Sequence, residues 1–189
     1  IELAAEHNVA IFEDDPYGDL QYSGEEIIPI RGLDERVLYF GTFSKTLAPG
    51  IRVGFVIAPD DVAAMILSTR EVADISNDRI MMRTVHHTLA DDYLIGHIQE
   101  CRDFYRARRD AMLEALEREM PEGVHWSKPD GGFFIWITLP DHVDGEEMFR
   151  IAAEHGTVVF PGKWFDPTGE VCHTIRLSFS TVPEDRIRL

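Results

Sequence analysis

Three short, unbroken apolar runs constrain this chain more than any other feature. Residues 9–12 (VAIF), 37–40 (VLYF) and 53–57 (VGFVI) are each too short for a helix and carry no polar alternation. Runs of that kind mark strands buried on both faces of a parallel sheet. Residues 60–68 (DDVAAMILS) follow Pro59 and open on two acids, which is how a helix starts. The first third of the chain is therefore expected to be α/β.

A long helical pattern follows over residues 91–120. Leu94, Ile98, Cys101, Tyr105, Met112 and Leu116 fall on one face, and Pro121 with Gly123 ends it. Arg102, Arg106, Arg108 and Arg109 read as a solvated stripe of the same helix. The texture then becomes α+β, with strands expected at 132–138 (GFFIWIT), 157–160 and 174–180, and a helix at 144–155. A domain boundary is placed inside the long helix, dividing residues 1–92 from 93–189. The chain begins within what reads as a helix and stops at the start of another, so a piece of a larger protein is expected.

Composition narrows the function. The 34 acidic residues against 18 basic give a net charge of −16, which argues against a nucleic-acid surface on this segment. No apolar run approaches the roughly 18 residues of a membrane helix, and no secretory leader pattern opens the chain. A cytoplasmic protein with no membrane contact is expected. Cys101 and Cys172 stand far apart and read as free thiols, and no zinc-ligand spacing is present.

The polar residues beside the strands are more specific. Ligands of open α/β sheets bind beyond the carboxyl ends of the strands. Thr42, Ser44 and Lys45 directly follow one apolar run, and Asp14, Asp15 and Tyr17 follow another. A lysine whose charge is disfavoured attacks aldehydes. Two hydroxyls and the fork of Arg52 suit a phosphate. An arginine in an apolar strand also needs a partner for its charge, an argument that applies to Arg52 and to Arg176. A carboxylate at Asp14, with Asp15 as its rival, suits a pyridinium nitrogen, and the Tyr17 phenol suits a ring oxygen. Aldehyde, phosphate, pyridinium and phenolic oxygen together describe pyridoxal 5'-phosphate.

The segment GTFSKTLAPGIRVGF, preceded by EDDPYGDLQYSG, resembles the fold-type I aminotransferases. The likeness is greatest to the branch holding 2-aminoadipate, kynurenine and aromatic aminotransferases and the aminotransferase-like half of MocR-type regulators. It continues through KPDGGFFIW, VVFPGKWF and HTIRLSFS, over nearly the whole chain. The phosphate arginine follows the lysine by seven residues, where the wider class has eight, and the shorter spacing is that of this branch.

The resemblance implies residues 1–92 as part of a large cofactor-binding domain and 93–189 as a small C-terminal α+β domain. It implies Lys45 as the Schiff-base lysine and Asp14 at the pyridine nitrogen. It puts Tyr17 at the ring oxygen, Thr42, Ser44 and Arg52 at the phosphate, and Arg176 at the α-carboxylate of the substrate. It further implies transfer of an amino group between an α-amino acid and a 2-oxo acid by a homodimer of the full-length protein. The alternative is the effector-binding half of a MocR-type regulator. Gly131 and Gly132 are expected to make a turn, Lys128 and Lys163 to lie at the surface, and Phe133, Phe134 and Trp136 to belong to the core.

Overall fold

The computed structural model describes residues 1–90 and 93–187. The expected helix start at residue 91 and the domain boundary after residue 92 fall on or beside positions outside the described residues. The chain divides into two compact units, Ile1–Arg102 and Asp103–Leu189.

In the first unit, helix α1 (Glu2–Glu6) leads to strand β1 (Phe12–Asp14), and helix α2 (Ile30–Leu33) precedes strand β2 (Leu38–Thr42). Strand β3 (Gly54–Ile57) completes a sheet of order β1-β2-β3. Helices α3 (Asp60–Ala73) and α4 (Arg79–Ala90) follow. Strands β1 and β2 are parallel, with Asp14 opposite Phe40. Their carboxyl ends therefore share one edge of the sheet, which is where a ligand is expected.

Two expectations about these strands are corrected. The first strand begins at Phe12, because the Val9 amide turns back to the Ala4 carbonyl instead of joining the ladder. Among the described residues of this chain it pairs with β2 alone. Strand β3 pairs with β2 antiparallel. Parallel strands need a crossover of about a dozen or more residues, usually a helix, and the link from Thr42 to Gly54 holds only a short 3-10 turn at Pro49–Ile51.

Helix α5 (Tyr93–Glu119) spans the division between the units, with Leu94 and Leu116 buried. The second unit carries strands β4 (His125–Trp126), β5 (Phe134–Thr138), β6 (Phe160–Pro161) and β7 (Thr174–Ser178), helix α6 (Gly145–Glu154) and a last turn α7 (Glu184–Ile187). The sheet order is β4-β5-β7-β6, antiparallel throughout. Side chains alternate across a strand, so Ile135, Ile137 and Ile175 share the buried face. Phe134, Trp136 and Arg176 share the other. The strand expected at 157–160 is reduced to Phe160–Pro161.

The arginine stripe of α5 is not simply solvated. Arg109 is only 8% exposed and donates to the Pro129 carbonyl at 2.9 Å, tying the helix to the turn before β5. Arg108 donates to the Ser180 carbonyl, and Arg102 donates to the Asp19 carbonyl at 2.7 Å. Arg106 pairs with Asp103 at 3.2 Å. Backbone carbonyls with no ladder partner recruit these guanidinium donors. Both cysteines are free, and burial pushes the Cys101 thiol up. Among the described residues no helix is long and apolar enough to cross a membrane.

Asp144 caps α6, accepting from the Glu146 and Glu147 amides at 2.9 and 3.0 Å. The first residue of that helix is glycine for a packing reason. A Cβ on Gly145 would lie 2.5 Å from the Thr174 carbonyl oxygen and 3.0 Å from that of Cys172. Backbone cannot yield as a side chain can, so Gly145→Ala should destabilise the protein by about 1–3 kcal/mol. A thermal melt that leaves the transition unchanged would contradict this packing.

Candidate active site

The three consecutive acids at the end of β1 have separate employments. Glu13 accepts from the Ile30 and Arg31 amides, both at 2.8 Å, and so satisfies two of the free N–H groups at the start of α2. Asp15 accepts from the Tyr39 hydroxyl at 3.0 Å. Its side chain lies against Gly18, where any Cβ would collide with it. Tyr39 stands opposite Glu13 in the ladder, on the face away from Asp14. Asp14 is exposed and accepts no hydrogen bond among the described residues. It shares its sheet face with Phe12 and Phe40, and Thr42 lies two residues further along that face.

The Tyr39–Asp15 pair has a measurable consequence. Burial, then the hydrogen bond to the Asp15 carboxylate, pushes the Tyr39 phenol up to about 12. The folded state holds this proton more tightly than the unfolded chain, whose phenol titrates near 10. The stabilisation is therefore complete below about pH 10 and is lost as pH rises through about 12. A phenolate absorbance titration should show one of the five tyrosines ionising late, and Tyr39→Phe should remove that late component. A titration with no late tyrosine would contradict the pairing.

Between β2 and β3 the chain makes a compact turn. The Thr42 hydroxyl accepts from the Ser44 amide at 3.1 Å and donates to the Val53 carbonyl at 3.4 Å. The Phe43 amide donates to the same carbonyl at 3.1 Å, and Leu47 and Ala48 donate back to Phe43. Behind the turn, the Phe55 ring covers Gly41, leaving no room for a Cβ, and packs against Phe43 and Tyr39. The scaffold under Lys45 is thus fixed by both backbone and rings.

Lys45 is half-buried, and its Nζ lies 5.8 Å from the centroid of the Tyr17 ring. Amine and phenol, carried by the segments after two parallel strands, therefore meet. Ser44 is half-buried in the same turn. Arg52 departs from expectation. It is exposed, precedes β3 instead of lying inside it, and adopts φ 55°, ψ 35° at the end of the 3-10 turn. The need to pair a buried strand arginine does not apply there. A left-handed non-glycine residue is itself uncommon and concentrates at functional sites, a signal the sequence does not carry. Among the described residues neither Lys45 nor Arg52 has an ion-pair partner.

Arg176 lies in the second unit, in the middle of β7, opposite Trp136 on β5 and Phe160 on β6. Its guanidinium carbon is 4.0 Å from the ring centroid of Phe134, 4.0 Å from that of Phe165 and 5.5 Å from that of Phe160. Sequence reasoning assigned Phe134 to the core and did not single out Phe165 or Phe160. Lys163 pairs with Glu146 at 2.8 Å on the surface, lowering the Glu146 carboxyl and raising the Lys163 amine. Among the described residues no three His, Cys, Asp or Glu side chains gather to hold a metal.

The donor set of the first unit fits pyridoxal phosphate. An unengaged carboxylate, a phenol, an amine, two hydroxyls and a guanidinium stand on segments that leave one end of one sheet. Each matches one polar feature of that molecule.

The sequence profile of "Aminotransferase class I and II" matches residues 1–188. Aromatic-amino-acid aminotransferase 1 of Thermococcus litoralis is 42% identical over 190 residues, covering 100% of this chain and 46% of that protein. The crystal structure of Pyrococcus horikoshii kynurenine aminotransferase, in complex with PMP, superposes with a TM-score of 0.95. It is 44% identical, and the match covers 99% of this chain and 47% of that one. The HTH-type transcriptional regulator YisV of Bacillus subtilis is 31% identical, over 95% of this chain and 37% of its own length. The chain spans about half the length of the aminotransferases it matches.

Proposed function

Because this chain belongs to the class I and II aminotransferases, we propose that the whole protein is a pyridoxal-phosphate-dependent transaminase. It moves an amino group between an α-amino acid and a 2-oxo acid. The observation that carries this reading is the Lys45 amine 5.8 Å from the centroid of the Tyr17 ring, on segments that leave the carboxyl ends of two parallel strands, one of which ends on the unengaged Asp14.

When bound, pyridoxal phosphate supplies an aldehyde carbon and an electron-withdrawing ring. Lys45 would hold that aldehyde carbon through its Nζ, and the same amine would be the group that takes up and delivers a proton. Asp14 holds a proton on the ring nitrogen, and Tyr17 donates its O–H to the ring oxygen. Thr42, Ser44 and Arg52 bind the phosphate, the arginine through paired N–H donors. Arg176 binds the α-carboxylate shared by amino acid and 2-oxo acid. The whole protein is read as a cytoplasmic homodimer, and the family resemblance supports that part.

Transfer itself is the test. The full-length protein, loaded with the cofactor, is given amino acid donors and 2-oxo acid acceptors. The reading requires one new amino acid for each 2-oxo acid formed, and release of ammonia or carbon dioxide in its place would contradict it. A second reading is favoured by the likeness to the HTH-type regulator. It keeps the same cofactor residues in an effector-sensing role, and sequence-specific DNA binding without turnover by the whole protein would establish it.

A further inference from the structure

The segment carrying Asp14 and Tyr17 and the turn carrying Lys45 are also linked on the sheet face opposite to Asp14. Past the end of β1, the Asp15 amide donates to the Phe40 carbonyl at 3.0 Å. The Asp15 carboxylate accepts from the Tyr39 hydroxyl of β2, also at 3.0 Å. The same carboxylate lies against Gly18, with no room for a Cβ between them. Gly18 directly follows Tyr17 and opens the 3-10 turn Gly18–Leu20, which the Leu20 amide closes on the Tyr17 carbonyl at 2.8 Å. Asp15 therefore sits between β2 and the residue after the phenol.

From Tyr39 the contacts continue as rings. Tyr39 packs against Phe55 with centroids 6.1 Å apart, and Phe55 packs against Phe43 at 5.5 Å. Phe43 lies two residues before Lys45, and its carbonyl accepts the Leu47 and Ala48 amides that close the lysine turn. Apolar contacts of this kind are non-directional and do not by themselves fix a position. The Tyr39–Asp15 bond has a defined length and direction, and its charged acceptor makes it stronger than a neutral one. It is the directional contact in a series that runs from Gly18 through Asp15, Tyr39 and Phe55 to Phe43.

We propose that Asp15 and Tyr39 are positioning residues for the cofactor. Their bond, made across the carboxyl ends of β1 and β2, holds the Tyr17 phenol and the Lys45 amine at their observed separation and so helps to retain pyridoxal phosphate. Both act from the opposite face of the sheet, through the residues that bind the cofactor. This assignment rests on Lys45 and Tyr17 being cofactor residues.

The experiment uses the full-length, cofactor-loaded protein. It reads the rate at which pyridoxal phosphate is lost on dialysis, the kcat for amino-group transfer and the thermal melt. Tyr39→Phe keeps the ring and removes the hydroxyl. It should speed cofactor loss about tenfold while kcat falls less than about tenfold. Asp15→Ala should do the same, and the double variant should be no faster than either single one, because both remove one bond. Asp15→Asn keeps an acceptor for the hydroxyl and should stay within about threefold of wild type. Gly145→Ala is the control, since it should lower the melt from the other unit and leave cofactor loss unchanged. Wild-type retention in Tyr39→Phe, multiplied effects in the double variant, or equally fast loss in Gly145→Ala would each overturn the inference alone. Retention equal to wild type in Lys45→Ala would overturn the reading of Lys45, and the inference with it.

Discussion

Lys45→Ala should leave the full-length protein folded and lower amino-group transfer by at least about 10³-fold. The turn that carries Lys45 is held by backbone bonds from Phe43, Ser44, Leu47 and Ala48 and by the Thr42 hydroxyl. None of these uses the lysine side chain. No carboxylate among the described residues is left unpaired when the amine is removed, so the melt should move little. Lys45→Arg separates charge from proton transfer. Arginine keeps the cation but gives up no proton, and the loss should match that of alanine. Single-turnover rates with one amino acid measure both variants. A rate within tenfold of wild type in either would contradict the role assigned to Lys45.

Asp14→Asn should lower kcat about 10²–10³-fold, the usual effect of losing one preorganised electrostatic contact at a reacting group. The neighbouring Asp15→Asn should cost less than about tenfold. The contrast follows from the two faces of β1. Asp15 is already committed to Tyr39 across the sheet, whereas Asp14 shares a face with Phe40 and Thr42 and is unengaged among the described residues. Asp15→Asn should act instead on the late titration of Tyr39, whose hydrogen-bonded carboxylate it removes. A larger rate effect at Asp15 than at Asp14 would reverse the assignment.

The α/β character and the position of Lys45 were legible because both rest on local pattern. Apolar runs mark strands, and polar residues directly after them mark the strand ends. Strand limits were less legible, since Val9, Ala10 and Ile11 are as apolar as Phe12. Only the hydrogen bond from Val9 back to Ala4 shows where the ladder does not reach. The hand of the β2–β3 pairing depends on how its connection folds, not on its composition. Arg109 looked solvated because its carbonyl partner at Pro129 is twenty residues away, beyond any helical period. The contact of Phe165 with Arg176 joins a turn to a strand, and no sequence spacing announces it.

Chemical trapping tests the role of Lys45 most directly. The full-length protein is loaded with pyridoxal phosphate, reduced with borohydride to fix any reversible carbon–nitrogen link, digested, and mapped by mass spectrometry. A pyridoxyl group on Lys45 is the predicted result. A label on another lysine, or none at all in protein that binds the cofactor, would contradict the site built here from Asp14, Tyr17 and the β2–β3 turn.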